Sequence, residues 1–245
     1  VNATGTPSRS KPYEHVRGLV DGHMHWMAFE FLGGMAHCGR PWHKYGVEYA
    51  LEDCADHTAT DGCGAVLDDV LYGSPGRCHD PVGWPTFADW PHPNSLTHET
   101  SYYKWVERAW RGGLRIFVNL LVENKALCDL YPLKRNSCNE MDSVRLQDRD
   151  LKELQDYIDA QNGGPGKGWM RLVDDPYEAR RAINAGKLAV VQGIEISQLF
   201  DCNIYNGEPL CSKEMIDEQL EQVYRMGVRQ MEIVNKFDNA LAGVA

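Results

Sequence analysis

The run Leu188-Ala189-Val190-Val191-Gln192-Gly193-Ile194 constrains this chain more than any other stretch. It is short, nearly continuous in apolar residues and rich in β-branched side chains. A strand of that kind is buried on both faces, as in a parallel sheet covered by helices. The second half of the chain repeats the pattern. Apolar runs at Leu114–Val122, Trp169–Val173, Leu188–Ile194 and Arg229–Val234 read as strands. Between them lie helical patterns at Ser143–Gln161, Pro176–Asn184 and Ser212–Met226. Alternation of this sort implies an α/β fold with helical crossovers. The two candidates are a doubly wound sheet and a (β/α)8 barrel. No Gly-x-Gly-x-x-Gly turn follows the first strand, which weighs against the dinucleotide-binding version.

The first half is less regular. Residues 1–17 are polar and read as an arm, with a glycosylation triplet at Asn2-Ala3-Thr4. Residues 18–25 read as the first strand. Residues 26–99 form a long irregular insertion rich in Gly, Pro, Trp and His, with one helical stretch at Val47–Cys54. Insertions of that length are functional or tied by disulfides. Thr100–Arg111 reads as a helix ended by Gly112-Gly113. The whole chain, 1–245, reads as one domain. The formal net charge of −10 argues against nucleic acid and against an anionic membrane surface. No apolar run is long enough to span a bilayer.

The chain has eight cysteines and no Cys-x-x-Cys pair. Cys128/Cys138 and Cys202/Cys211 each bracket a short turn-rich loop and are expected to be disulfides. Cys38, Cys54, Cys63 and Cys78 leave their pairing open. This usage, with a first residue Val1 that suggests processing, points to a secreted protein.

Polar residues collect at the carboxyl ends of the strands. His23 and His25 end the first strand in Asp21-Gly22-His23-Met24-His25. Residues i and i+2 of a strand share a face, so both imidazoles can reach one ion. Asn119 and Glu123 lie near the end of the second strand, and Glu195 ends Leu188–Ile194. Asn235, Lys236 and Asp238 end the last. In a barrel that is the end where chemistry sits. Glu195 is the acid most in need of a cation, since burying it unpaired at the end of so apolar a strand is costly. His57, His79, His92 and His98 of the insertion, and Trp84, Trp90, Trp105 and Trp110, read as loop or core residues.

Asp21-Gly22-His23-Met24-His25 resembles the opening metal motif of the amidohydrolase superfamily. Val191-Gln192-Gly193-Ile194-Glu195 resembles the strand of the membrane-dipeptidase (M19-like) branch whose Glu bridges two zinc ions. Asn235-Lys236-Phe237-Asp238-Asn239 stands where that branch carries a metal-binding His. Ser95-Leu96-Thr97-His98-Glu99 and Lys236-Phe237-Asp238-Asn239-Ala240 resemble secreted bacterial relatives. The resemblance implies a secreted, zinc-dependent hydrolase of an amide or small-peptide bond on a TIM-type barrel. His23, His25 and Glu195 would be the metal ligands, Glu195 the catalytic residue. Asn119, Asn235, Lys236 and Asp238 would stand around them.

Three departures qualify this expectation. The first motif is His-x-His, not the branch's His-x-Asp. Asn235 replaces a His, and no His follows His98. About five of a barrel's eight strands are accounted for, so a second polypeptide is expected to complete it. One zinc ion is favoured over two. The alternative is a non-catalytic binding protein on a disabled barrel.

Overall fold

The computed structural model describes residues 16–37, 39–50 and 102–244. The arm, the sequon, most of the insertion with His57, His79, His92 and His98, Trp84, Trp90, and Cys38, Cys54, Cys63 and Cys78 lie outside the described residues.

The core is a five-stranded sheet in which every pairing is parallel. Strand β1 (Leu19–Met24) is followed by a short helix α1 (Val47–Ala50) and by α2 (Tyr103–Gly112). Strand β2 (Leu114–Glu123) leads into α3 (Lys125–Leu130) and the long α4 (Glu140–Gln161). Then come β3 (Met170–Leu172), α5 (Pro176–Asn184), β4 (Leu188–Ile196), a small hairpin β5 (Ile204–Tyr205) and β6 (Glu208–Pro209), α6 (Lys213–Met226) and β7 (Val228–Glu232). The α/β fold with alternating parallel strands is therefore present.

β4 is the spine. Along one edge it pairs with β2 from Ile116↔Ala189 to Glu123↔Ile196. Its other edge is shared: β3 takes Leu188–Val190 and β7 takes Gln192–Glu195. β1 lies outside β2, with Met24 opposite Asn119. Even-numbered residues of β4 face one way. Leu188 and Val190 pack with Phe117, Leu151, Leu154 and Ile158, under α2 and α4. Ile194 and Ile196 pack with Leu121, Met141, Val144 and Val223. By the strand period of two, Ala189, Val191, Gly193 and Glu195 face the other way. There α5 covers only the amino-terminal part, through Ala179, Ala182 and Ile183.

Local chemistry sets the element ends. Asn139 caps α4 by accepting the Asp142 N–H, so this helix begins one turn earlier than the apolar stripe predicts. Asp175 caps α5 ahead of Pro176, and Ser212 caps α6. The Gln147 amide accepts the Val122 N–H at 3.1 Å and donates to the Val122 carbonyl at 2.7 Å. It thus serves the end of β2 as a strand neighbour would. The expected loop between Cys202 and Cys211 is a two-residue hairpin. Asn206 and Gly207 take positive φ at its turn, as such turns require.

Trp26 and Met27, assigned to the irregular insertion by sequence, are fully buried in the main core. The 3-10 segment Ala28–Gly34 that follows is broken at Leu32, whose φ is +52°. Glu123, at the end of β2, holds it by accepting the Leu32 N–H at 3.0 Å and the Asn124 N–H at 2.9 Å. Burial pushes the Glu123 carboxyl up to about 7, against the pull of the Asn124, Leu32 and Gly33 amides. The folded state therefore holds a proton that the unfolded chain has released, from the ordinary value of 4.5 up to about 7. Stability is expected to fall as pH rises through that window, by on the order of 1–3 kcal/mol from this group. Chemical denaturation at pH 5 and pH 8 should show a smaller fall in Glu123→Gln; equal falls contradict the assignment.

Cys128–Cys138 and Cys202–Cys211 are disulfides, closing separations of 10 and 9 residues. Loops that short stabilise by roughly 2–3 kcal/mol in the chain-entropy model. Replacing both cysteines of either pair with serine should lower Tm by roughly 4–10 °C. An unchanged melt in both double variants contradicts this.

Candidate metal centre

β1, the residue just past its end and β4 bring three donor atoms together at the carboxyl end of the sheet. His23 Nε2 lies 2.8 Å from Glu195 Oε2, His25 Nε2 lies 2.7 Å from the same oxygen, and the two nitrogens are 2.9 Å apart. The imidazole rings stack at a centroid distance of 4.9 Å. Among the described residues this is the one group of three or more such side chains able to hold a metal ion. The three residues picked out at strand ends by sequence are thus neighbours in space.

Each is placed by a local feature. β1 loses register with β2 between Asp21 and Met24, and Asp21 accepts the His23 N–H at 3.0 Å. The Asn119 side chain, fully buried, accepts the Trp26 N–H at 2.8 Å. That bond fixes the chain one residue after His25. Two positions before Glu195 stands Gly193; a Cβ there would lie 2.5 Å from Leu120 Cδ2. The glycine lets β2 and β4 pack tightly just below the carboxylate.

The donor set fits a metal. Glu195 Oε2 is buried yet accepts no hydrogen bond of good geometry, although two imidazole nitrogens crowd it. Three donors pairwise 2.7–2.9 Å apart cannot all be satisfied by protons lying between them. A cation above the triangle would take a lone pair from each. Zn–ligand bonds of about 2.0–2.1 Å in a tetrahedron set donors about 3.3 Å apart, so a small spreading of the rings admits the ion. His23 is about half exposed, His25 less so, and Glu195 almost buried. The open side leaves room for water or substrate, as catalytic sites require and structural ones do not.

The surroundings divide. Asn235 donates its amide N–H to Glu195 Oε1 at 2.6 Å. Lys236 Nζ lies 3.3 Å from Asn235 Oδ1 and 3.9 Å from Glu195 Oε1. Lys236 sits at φ +66° in a three-residue turn closed by Phe237 N–H to the Asn235 carbonyl at 2.8 Å. A non-glycine residue held so costs of order 1–3 kcal/mol, which the surroundings must offset. Asn239 does much of this, donating to the Ser197 and Ile233 carbonyls at 2.8 Å each, while the Ser197 hydroxyl meets the Asn235 carbonyl. Asp238 is used elsewhere: it accepts the Val244 N–H at 2.7 Å. Asn119 acts through its side chain on the Trp26 backbone N–H. Burial opposes ionisation of Glu195, but the His25 and His23 imidazoles and the Asn235 amide bring its carboxyl below the ordinary value.

Glu232 escaped the sequence reading. It is in register with Glu195 on the neighbouring strand, and its Oε1 lies 4.0 Å from His23 Nδ1. Burial and the adjacent Glu195 raise its pKa. Strand parity could have found it, but Arg229–Glu232 alternates too weakly to reveal which face is inward.

Comparison with protein-family models, curated proteins and solved structures finds no match to the chain.

Replacing Asn119 with Leu keeps the branching at Cγ but not the volume, and leaves the buried Trp26 N–H without its acceptor. Denaturant unfolding should show a loss of about 1–3 kcal/mol. A loss under 0.5 kcal/mol, within the ordinary range of a neutral substitution, contradicts the anchoring role.

Proposed function

We propose that this protein is a secreted metal-dependent hydrolase of amide or small-peptide bonds, built on a (β/α)8-type barrel. The observation that carries the reading is the His23–His25–Glu195 triangle with its unsatisfied buried carboxylate oxygen, open on one side. Two histidines and one glutamate are a donor set used by mononuclear zinc hydrolases, and three protein ligands leave the fourth position to water. When bound, zinc supplies Lewis acidity and brings a water pKa towards about 7.

The chain's own residues do the rest. His23 on β1 and His25 just past its end would present Nε2 to the ion, and Glu195 on β4 would present Oε2. The Asn235 amide holds the other Glu195 oxygen, which keeps the carboxylate from rotating. Glu232, exposed enough to meet water and with a raised pKa, is placed to accept a proton near His23. Lys236 offers a cation at the mouth, where charge develops on a carbonyl oxygen.

β1, β2, β4 and β7 run across the sheet in chain order, as a barrel's strands do, while β3 lies out of that order beside β4. β1 has Leu19 and Val20 66% and 73% exposed. A cavity of about 560 Å³, lined by Leu19, Val20, Ile116, Val191, Ala179 and Ile183, opens at the amino-terminal end of the strands. Those apolar surfaces suit further strands. The two disulfides favour an extracellular setting, and no helix among the described residues is long and apolar enough to cross a membrane. A non-catalytic binding protein is the second reading, favoured by Asn235 standing where the resembled branch has a His.

The purified protein, supplied with zinc, should release amino acids from a dipeptide panel. His23→Ala should abolish the activity while keeping the far-UV spectrum. Bound zinc without hydrolysis of any member favours the binding protein; no zinc bound overturns the metal reading.

A further inference from the structure

Resting on that reading of His23, His25 and Glu195, the geometry assigns the site one divalent ion and not two. Asn235 and Lys236 together occupy the side of Glu195 that a second cation would need. A carboxylate that bridges two ions gives one oxygen to each. Glu195 Oε2 faces the imidazoles. Oε1 is already engaged by the Asn235 N–H at 2.6 Å and has the Lys236 ammonium 3.9 Å away.

The orientation of the amide is fixed by both neighbours. Its nitrogen must face the carboxylate, because its oxygen would repel it, and its oxygen then meets the Lys236 ammonium at 3.3 Å. The turn that carries the pair is pinned by Asn239 to the backbone of Ser197 and Ile233, so neither group swings away cheaply. Donors point the same way: His23, His25 and Glu195 form the one metal-capable cluster among the described residues. With Glu195, Glu232 and Lys236 the local charge is −1; one divalent ion brings it to +1 and a second would bring it to +3. Lys236 thus serves as a built-in cation beside the ion.

Zinc bound per chain, measured by equilibrium dialysis and elemental analysis, tests this with His23→Ala as the baseline. The native protein should bind one equivalent above that baseline. The double variant Asn235→Asp with Lys236→Ala removes the ammonium and turns the capping amide into a carboxylate, and it should bind two. Two equivalents on the native protein overturn the inference and leave the metal centre standing. None on the native protein overturns the centre itself, and the inference with it. A folded double variant that still binds one overturns the capping role of Asn235 and Lys236. If that variant fails to fold, the native count decides between one ion and two.

Discussion

The parallel ladder between β2 and β4 is the interaction on which the rest depends. Eight residue pairs, from Ile116↔Ala189 to Glu123↔Ile196, lock the two longest apolar strands side by side. One face of that pair buries Phe117, Val190, Leu121 and Ile194 under α2, α4 and α6. A one-residue slip would turn Glu195 into the helix layer and Ile194 into the site, so the hydrophobic pattern alone fixes where the carboxylate points. The ladder also sets the depth. Gly193 permits the close approach of Leu120, and Glu195 emerges just beyond it.

Around that fixed carboxylate the chain places groups that need one another. Two imidazoles, one on β1 and one just past its end, crowd one oxygen, while an amide and an ammonium from the turn after β7 attend to the other. The turn is strained at Lys236 and secured by Asn239. Strain held in place by dedicated hydrogen bonds, at the one metal-capable cluster among the described residues, is the pattern of a functional site. The apolar cavity of about 560 Å³ lies at the opposite end of the strands, among Leu19, Ile116 and Ile183. Its walls are mostly apolar, with Arg115, Asp174 and Arg229 among the charged residues that also line it.

Much of this was legible in the residues. Continuous apolar runs identified the main strands, since burial on both faces leaves no room for alternation. The helical patterns starting at Pro176 and Ser212 matched α5 and α6 to within a residue. Strand parity put His23 and His25 on one face, and the rule that chemistry gathers at carboxyl ends added Glu195. What was not legible depended on pairing between distant segments. That β3 and β7 share one edge of β4 is a property of register. Glu232 becomes visible only when β7 is laid against β4. Trp26 and Met27 looked like the start of a loop because their burial is set by Asn119, 93 residues away. Asp238 looked like a strand-end site residue but serves the backbone of Val244.

The central claim is that His23, His25 and Glu195 converge in order to hold a metal ion. The most direct measurement is the anomalous difference map, at the zinc edge, of crystals grown with zinc. The account predicts a peak about 2.0–2.2 Å from Nε2 of His23, Nε2 of His25 and Oε2 of Glu195. A well-ordered site with no peak there, its three side chains hydrogen-bonded directly to one another, would contradict it.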